Sequence, residues 1–388
     1  MKKMLVWETH NIISGGQKMT LLISDLLKDT MENIYLIPEK GALSDALDER
    51  KVPYYFMGKQ SMPAGVKGKS IIVRYVIMSL KAIFKGIIFI QKEKPDIIYA
   101  PGPAALPWSA ICGWITRKPV VWHLHHVFLD GPTKKLLNIF SSWSSVKKII
   151  AVSNCVGEQI HNEKGKQKIS VLYNPVDFER YSTGDAEVIY QEYPQLRRTG
   201  HKKEIILGHI ALMQETKRQE TVINTVGYLR QLGYEAKAIL AGGTKNAEDE
   251  CYYARLKEKV KQIGCEDSIV FLGFRSDVCN VLKCIDFLMI PSAFEGFPLA
   301  GLEANSAGVP VICADQGGSL EYADVSGAGA IFAFDDAVSA AEQILQCRSQ
   351  YEELQNLGST FASEHSIDGY KHEIQECFQK IAIQKVEN

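Results

Sequence analysis

The sequence predicts an α/β protein built from two Rossmann-like domains, each with a doubly wound parallel sheet. Short apolar runs typical of buried strands alternate with amphipathic helical patterns along the chain, as parallel sheets with crossover helices require. The length of 388 residues suits two domains better than one. A polar, charged stretch at 178–203 divides the runs into two groups, so we place the first domain at 1–180, a linker at 181–203 and the second domain at 204–366.

Seven strand-like runs precede the linker. They are residues 4–9, 33–38, 54–57, 95–99, 119–122, 148–152 and 169–173. Apolar residues dominate them, and a Lys-Pro pair marks the start of the fourth and of the fifth. The first run leads to Gly15 and Gly16 and then to an apolar-periodic helix through Leu27. A glycine pair between the first strand and the first helix is the usual place where backbone approaches a ligand closely.

Six further runs follow the linker and continue the same alternation. They are residues 204–210, 238–240, 269–272, 285–290, 309–312 and 330–334. Helical patterns at 337–346 and 351–362 come after them, and a final helix is predicted at about 367–383. The sequence contains no internal repeat and no low-complexity segment.

The composition predicts a cytoplasmic protein without a nucleic-acid partner. Hydrophobic residues make up 46% of the chain, charged residues 23%, and the net charge is −1, so no overall electrostatic partner is indicated. The nine cysteines are scattered, and no zinc-type spacing occurs among them, so we expect reduced thiols. The first residues pass directly into a strand-like run, without the apolar core of a signal peptide.

The segment 59–92 carries seven Lys or Arg residues and no acid. On a helical wheel five of the cations share one narrow stripe, namely Lys67, Arg74, Lys81, Lys85 and Lys92. Three charges within 71–90 argue against a membrane-spanning helix. Two interpretations remain: a mostly buried helix with one solvated edge, or a helix that docks on an anionic membrane surface.

The stretch 291–310 has the pattern strand–loop–helix–strand. Gly296 lets the loop bend, Pro298 suits the first turn of a helix, and Gly308 ends it. The amides at 297–300 would then lie at the positive end of the helix dipole, where anions bind. Glu295 precedes these amides, while Glu303 lies about one and a half turns inside the helix and leans back toward them. Phosphate on the amides and hydroxyl groups on the carboxylates would describe a nucleotide sugar; the alternative is an ordinary exposed loop with two solvated glutamates.

The complete string is more specific than the two glutamates alone. It comprises Glu295-Gly296-Phe297-Pro298, Glu303-Ala304, Gly308-x-Pro310-Val311 and Gly317-Gly318. This string resembles the donor-site signature of family 4 glycosyltransferases, which are retaining enzymes of the GT-B fold, and the resemblance covers nearly the whole chain. It implies two Rossmann-like domains that face each other across a cleft, with the helix at 367–388 crossing back to the first domain. It also implies transfer of a hexosyl unit from a UDP- or GDP-sugar to a glycan or lipid-linked acceptor, in cell-surface polysaccharide synthesis.

The resemblance also implies roles for individual residues. Glu295 would hold the sugar hydroxyls, Glu303 the ribose hydroxyls, Lys217 the diphosphate, and His125 the sugar on its other side. The turn 271–275 would hold the base, largely through backbone. Together, the donor-binding residues implied are Gly15, Gly16, Phe274, Gly296, Phe297, Pro298, Leu299, Ala300 and Glu303, with Glu295, Lys217 and His125 as the catalytic set.

The chain departs from the family at Leu212, where an arginine that also grips the diphosphate is expected. Arg218 is a candidate substitute. Without the arginine, stabilisation of the leaving group must depend on Lys217 and the helix amides. No Asp-x-Asp occurs in the chain, so we expect no divalent metal in the leaving-group role and no other cofactor.

Three histidines, His123, His125 and His126, end the strand at 119–122 and invite a metal interpretation. Adjacent residues of a strand point to opposite faces, and no Glu or Cys stands nearby to complete a site. A different enzyme on the same fold, such as a phosphorylase or a sugar-nucleotide epimerase, is one alternative. A phosphorylase would need a pyridoxal lysine and a much longer chain. A non-catalytic partner in a polysaccharide-assembly complex is the alternative function, and the Leu212 departure is its support.

Overall fold

A computed structural model describes residues 1–58, 69–129 and 131–383. The strands, numbered along the chain, are β1 (Lys2–Trp7), β2 (Met31–Ile37), β3 (Tyr54–Phe56), β4 (Ile97–Ala100), β5 (Val120–Leu124), β6 (Val146–Ala151), β7 (Ile169–Val171), β8 (Glu204–Ile210), β9 (Glu235–Ala241), β10 (Ile269–Gly273), β11 (Phe287–Ile290), β12 (Val311–Ala314) and β13 (Gly329–Phe332). All thirteen coincide with predicted runs.

The helices, in the same order, are α1 (Gly15–Leu27), α2 (Ala42–Glu49), α3 (Lys69–Glu93), α4 (Ala105–Thr116), α5 (Gly131–Ser141), α6 (Asn154–Gly157), α7 (Glu163–Lys166), α8 (Phe178–Ser182), α9 (Ala186–Glu192), α10 (Gln219–Gln231), α11 (Ala247–Gln262), α12 (Val278–Leu282), α13 (Leu299–Ser306), α14 (Gly317–Ser326), α15 (Ala337–Cys347), α16 (Tyr351–Glu364) and α17 (Ile367–Ile383). No helix within the described ranges is long and apolar enough to cross a membrane.

The strands form two parallel sheets, which confirms the predicted fold class. The first sheet has the order β3-β2-β1-β4-β5-β6-β7 and the second the order β10-β9-β8-β11-β12-β13. Counted from its own first strand, each sheet therefore begins 3-2-1-4-5-6, the Rossmann order. The order reverses between β1 and β4 in the first sheet and between β8 and β11 in the second. Ligands of such sheets bind beyond the carboxyl ends of the strands at this reversal.

The chain divides into two compact units. One comprises Met1–Tyr173 with the residues from Tyr370 onward, and the other comprises Asn174–Gly369. Most of α17 therefore belongs with the first sheet. There, the Phe378 ring lies 5.6 Å from that of Tyr99.

The segment 181–203, predicted as a linker, lies inside the second unit. It contains α9, and α8 ends just within it. Four of the six large apolar side chains of this polar segment are buried: Tyr181, Ile189, Tyr190 and Leu196. Hydrophobic periodicity did not reveal these buried residues, because α8 and α9 each have only one or two turns.

Each sheet has its own apolar core. In the first unit, the largest buried side chains are tryptophans, and the rings of Trp7 and Trp108 lie 6.2 Å apart. In the second, one cluster of buried residues runs across the sheet from Ile269 on β10 to Phe332 on β13. Both cores leave the loops at the carboxyl edge of each sheet to carry polar groups.

The exposure of helix α3 contradicts one of its two sequence interpretations. Ala82, Phe89 and Ile90 are buried, as a helix packed on the unit requires, but much of its apolar surface is exposed. It is therefore not a mostly buried helix with a charged edge. Of the predicted basic stripe, Arg74, Lys81 and Lys85 are exposed, while Lys67 lies outside the described residues.

Candidate functional site

Lys217 and Glu295 come from the two loops at the strand-order reversal of the second sheet. Lys217 ends a 3-10 turn after β8, and Glu295 lies in the loop after β11. A backbone hydrogen bond from Ala293 N to Thr216 O, 2.9 Å long, joins the loops. The Lys217 Nζ and Glu295 Oε1 atoms are 2.5 Å apart, and the side chains are 23% and 19% exposed. The sequence placed both residues at the site, and the structure brings them into contact.

Close backbone packing fixes the loop that carries Glu295. The Gly318 amide at the start of α14 donates to Glu295 O at 3.0 Å. A Cβ at Gly318 would overlap the Gly296 carbonyl oxygen, so only glycine fits there. This contact explains why the sequence carries a glycine pair at 317–318: it lets α14 approach the loop.

Helix α13 begins immediately after this loop. The Phe297 side chain is buried, with its ring 5.2 Å from that of Tyr322. Asn174 Nδ2 donates to the Phe297 carbonyl at 2.9 Å. Pro298 is the N-cap and makes no side-chain hydrogen bond to the first turn. Leu299 and Ala300 therefore begin the helix with amides that no cap residue covers.

The second carboxylate, Glu303, is held from α8. The Tyr181 hydroxyl donates to Glu303 Oε1 at 2.8 Å. Burial, followed by the negative charge of Glu303, raises the pKa of Tyr181, so its hydroxyl stays a donor. Tyr181 thus fixes the direction of a carboxylate that the sequence assigned to ribose.

A second lysine lies near Lys217. The loop after β9 is bonded to the loop after β8 through Met213 N and Gly243 O at 2.9 Å. Lys245 follows in that β9 loop, with its amide bonded to Asp249 Oδ2. Burial lowers the pKa of Lys245, Asp249 raises it, and repulsion from Lys217 lowers it further. Two cations therefore share this edge, although position 212 holds leucine.

Two other predicted groups take separate positions. The Arg218 guanidinium lies over the Phe334 ring, 5.5 Å from its centre. Phe274, at the predicted base-binding turn, is 79% exposed. A Cβ added to Gly243 would lie 3.5 Å from the Phe274 Cβ, so this exposed ring stands beside the β9 loop.

In the first unit, a chain of hydrogen bonds holds the Gly15-Gly16 loop. Gln17 Nε2 donates to Glu8 Oε2 at 3.0 Å, and the Ser14 hydroxyl donates to Gln17 Oε1 at 2.5 Å. Glu8 is almost fully buried. Burial raises the pKa of Glu8 to about 7. The loop is thus tied down by a carboxyl group that is partly protonated near neutral pH.

Of the histidines at the end of β5, His123 is buried and His125 is half-buried. His123 Nδ1 lies 2.7 Å from the Tyr99 hydroxyl, and burial lowers the pKa of His123 to about 3. Burial also lowers the pKa of His125, and the neighbouring His123 and His126 lower it further. The His125 Nε2 atom is buried without a hydrogen-bond partner. A Cβ on Gly16 would lie 3.8 Å from the His125 ring, so these two predicted residues are neighbours.

Sequence reasoning missed Tyr181 and Lys245. Neither has a motif: Tyr181 lies in the presumed linker, and Lys245 follows an ordinary Gly-Gly loop. The Asn174 side chain also reaches far along the chain, since it donates to Phe297 O, 123 positions away. Among the residues that the structure describes, no three His, Cys, Asp or Glu side chains form a group suited to a metal ion.

Two family models match the chain. The model described as "Glycosyltransferase Family 4" matches residues 61–180, and "Glycosyl transferases group 1" matches residues 194–361. Together they cover most of both units. Gly15 and Gly16 lie outside both matched ranges, whereas Lys217, Glu295 and Glu303 lie inside the second range.

Curated relatives include a galactosyltransferase from Escherichia coli, named for UDP-Gal and α-D-GlcNAc-diphosphoundecaprenol. It is 27% identical over 340 residues, which span 79% of this chain and 78% of the relative. The capsular polysaccharide biosynthesis glycosyltransferase CapM of Staphylococcus aureus is 25% identical over 68% of this chain and 70% of the relative. Among solved structures, Anabaena HepE in complex with UDP-glucose superposes with a TM-score of 0.80 over 98% of this chain and 100% of that chain, at 20% identity. At 20% identity, this likeness shows the fold alone.

Proposed function

The chain belongs to glycosyltransferase family 4, and we propose that it moves a hexosyl unit from a UDP- or GDP-sugar to a glycan or lipid-linked acceptor, with retention at the anomeric carbon. The observation that carries this proposal is the Lys217–Glu295 pair beside the start of α13. The second unit is the donor-binding domain in this proposal, and the first unit is the acceptor-binding domain.

Lys217 and the first amides of α13 hold the diphosphate. Negative charge grows on the diphosphate as the bond to the sugar breaks, so pre-arranged cations and amides stabilise the transition state more than the ground state. One such donor is worth ~3 kcal/mol in known enzymes. The helix dipole adds to the same effect, since its positive end meets the anion.

Lys245 supplies the second cation that the family takes from an arginine at position 212. The supporting evidence is the backbone bond between Met213 and Gly243 and the repulsion between Lys245 and Lys217. Glu295 beside Lys217 and Asp249 beside Lys245 already offset part of this repulsion. A diphosphate bridging both ammonium groups removes that repulsion, and Arg218, which lies over Phe334, is not needed for it.

Glu295 and Glu303 take the hydroxyl groups of the donor. Glu295 lies within contact of Lys217, so a donor laid over the pair has its phosphate on the ammonium group and its sugar hydroxyls on the carboxylate. Glu303 takes the ribose, with its direction set by Tyr181. Carboxylates that accept from hydroxyl groups make the stronger, charge-assisted kind of hydrogen bond.

In the first unit, His125 contacts the sugar, and Gly15 and Gly16 let backbone approach the diphosphate. The neutral state of His125 supports this role, because a neutral imidazole offers one donor and one acceptor to hydroxyl groups. Its buried, unpartnered Nε2 is a polar atom that a sugar hydroxyl would satisfy. The hydrogen bonds from Glu8 through Gln17 keep the glycine loop in place for this approach.

The reaction breaks the bond between the anomeric carbon and the phosphate oxygen, and the electron pair leaves with the diphosphate. The acceptor hydroxyl oxygen forms the new bond on the same face of the sugar, through an oxocarbenium-like state, and its proton passes to the departing phosphate oxygen. All the charge compensation in this scheme comes from lysines and amides, so the reaction is independent of a divalent metal. We further propose a cytoplasmic location at the inner face of the membrane, where a lipid-linked acceptor is presented.

A thermal-shift panel tests the donor class. UDP, GDP, ADP and their common sugars are added with and without magnesium. A ligand at ~100 times its dissociation constant stabilises the protein by nearly 3 kcal/mol, so a uridine or guanosine series that shifts the melting temperature equally with and without magnesium is the expected result. The anomeric configuration of the product is then read by NMR, and an inverted product would refute retention.

The non-catalytic alternative rests on Leu212. It predicts that a nucleotide sugar binds but is never consumed. Binding without hydrolysis or transfer, across a range of lipid-linked and free glycan acceptors, would favour it. No shift with any nucleotide would refute the donor site itself.

A further inference from the structure

The exposed face of α3 is largely apolar. Six large apolar side chains on this one helix are between 47% and 66% exposed: Val73, Val76, Ile77, Leu80, Phe84 and Ile88. Their spacing of three or four residues, apart from one adjacent pair, places them along one side of the helix. From Val73 to Ile88 this stripe is roughly 22 Å long at 1.5 Å per residue. Exposed apolar surface of this extent marks an interaction site rather than ordinary scatter.

Cations accompany the apolar stripe along its whole length. Arg74, Lys81, Lys85 and Lys92 are exposed, and their separations of seven, four and seven residues place them along a neighbouring side of the helix. From 69 to 92 the sequence contains no Asp or Glu. Lys92 Nζ lies 5.7 Å from the centre of the Tyr55 ring. An aromatic ring therefore stands at one end of the same surface.

The charges decide which partner fits this surface. A second copy of the chain, related by a twofold axis, would bring the same face of each copy together and so oppose cations to cations. A helix with an apolar side and a neighbouring cationic side suits a bilayer surface, where apolar side chains enter the acyl boundary and cations stay with lipid phosphates. Each cation near an anionic leaflet adds to the attraction.

We propose that the exposed face of α3 docks on an anionic lipid bilayer, with Ile77, Leu80 and Phe84 in the acyl boundary and Arg74 and Lys81 on lipid phosphates. Lys85 Nζ already donates to Met57 O at 2.9 Å, so we assign it no lipid contact. This inference deepens the proposed function. It rests on that function only for the reason why the protein needs a membrane. It differs from a purely electrostatic attachment through the basic stripe. The apolar stripe contributes the part of the membrane affinity that salt does not remove.

Vesicle flotation of the full chain tests the proposal. Vesicles of phosphatidylglycerol and phosphatidylcholine in equal parts are compared with vesicles of phosphatidylcholine alone, at low and high salt and without any donor or acceptor. The wild type is expected to float with the anionic vesicles and to retain part of its binding at 0.5 M salt. Equal binding to both vesicles, or binding to neither, overturns the proposal.

Two double variants separate the contributions. L80S/F84S is expected to weaken binding to anionic vesicles at least ~10-fold, because two exposed side chains lose their apolar burial in the membrane. R74Q/K81Q is expected to weaken it about 10-fold and to lower the salt dependence, to which Lys85 and Lys92 still contribute. The matched control L232S/L357S changes two leucines of the second unit that are 45% and 44% exposed, and it should bind as the wild type does.

The remaining outcomes also decide. Unchanged binding of L80S/F84S overturns the insertion of the apolar stripe. Concentration-dependent dimerisation that L80S/F84S abolishes, without vesicle binding, overturns the bilayer in favour of a second copy. Thermal shifts with nucleotides are measured on every variant: if vesicle binding fails while these shifts persist, the docking inference falls and the proposed glycosyl transfer stands.

Discussion

The carboxyl edges of the two sheets have the same strand order but opposite electrostatics. At the edge of the first sheet, polar side chains are buried and close to neutral: Glu8 has a pKa raised to about 7, and His125 has a pKa far below its usual value, both chiefly through burial. At the edge of the second sheet, Lys217 and Glu295 form an ion pair that keeps partial access to solvent. At these two edges, charge is therefore concentrated in the second unit.

This difference follows from where each group lies. Glu8 directly follows β1 and points into the unit, where an ionised carboxylate is costly. Lys217 and Glu295 lie in loops, each beyond the strand end, so water and the partner charge both stabilise them. The comparison teaches that two sheets with one strand order can carry edges of different chemistry. The edge of the second sheet suits an anion such as a phosphate, and the edge of the first suits uncharged polar groups.

Removing either charge of the Lys217–Glu295 pair should have the largest effect on activity. Lys217→Met and Glu295→Gln are each expected to lower kcat/KM by about 10²–10³-fold, because each removes a pre-arranged polar group from the transition state. Circular dichroism and melting curves check that the fold is retained. The matched control is the exposed pair Lys261 and Glu258, whose Nζ and Oε2 atoms are 4.0 Å apart. Its variants K261M and E258Q should be fully active, and full activity in K217M or E295Q would remove that residue from the site.

Removing the burial cost of Glu8 tests the first unit. Glu8 has a pKa of about 7 in the folded protein, against a usual 4.5. The folded state therefore loses stability as pH rises through this window, because Glu8 ionises first in the unfolded chain. The cost above pH 7 is on the order of 3 kcal/mol. Glu8→Gln should therefore melt higher than wild type at pH 8, and the difference should vanish toward pH 4.

The histidines act in the opposite direction, which makes the variant comparison necessary. His123 and His125 have lowered pKa values when folded, so they reduce stability as pH falls below about 6.5, the usual pKa of histidine. Subtracting the wild-type curve from that of Glu8→Gln isolates the carboxyl group. The control Glu32→Gln changes a side chain that is 53% exposed. A difference from wild type that does not depend on pH would contradict the buried, protonated Glu8.

The smallest effect is expected for Tyr181→Phe. It removes one hydrogen bond to Glu303, worth ~0.5–1.5 kcal/mol, so UDP should bind about 2–12-fold more weakly. KM for the donor should rise by the same factor while kcat changes little, since ribose contacts are alike in the ground and transition states. Calorimetry with UDP measures the affinity, and Tyr234→Phe is the matched control, because its ring contact with Lys203 does not need the hydroxyl group. Unchanged UDP affinity in Tyr181→Phe would show that Glu303 needs no orienting partner.

The sequence was sufficient for the fold. Each of the thirteen strands is a short apolar run between helical patterns, and in a doubly wound sheet the burial of both faces makes such runs conspicuous. The family signature also placed Lys217 and Glu295 in loops after strands, but it did not predict their contact, which the structure shows. Local pattern and chain topology agree at these places.

Three features depend on tertiary packing and have no local signal. The Tyr181 hydroxyl reaches Glu303 across 122 positions of sequence. Lys245 becomes relevant only because its loop is bonded to Met213. Leu80 and Phe84 look like core residues in a pattern that is apolar on most sides, and only the packed unit shows that they are exposed. Periodicity gives the faces of a helix but not which face the rest of the protein covers.

The path of α17 has a consequence for synthesis on the ribosome. The first unit needs residues on both sides of the second, since Phe378 packs against Tyr99 and Gln375 Nε2 donates to Leu26 O at 3.2 Å. About 200 residues are translated between these two parts of the first unit, which takes roughly 10–40 s at 5–20 residues per second. The second unit is continuous in sequence and is complete before α17 is made. The half that emerges first is therefore the half that finishes folding last, and its surface around Tyr99 stays uncovered until α17 is translated.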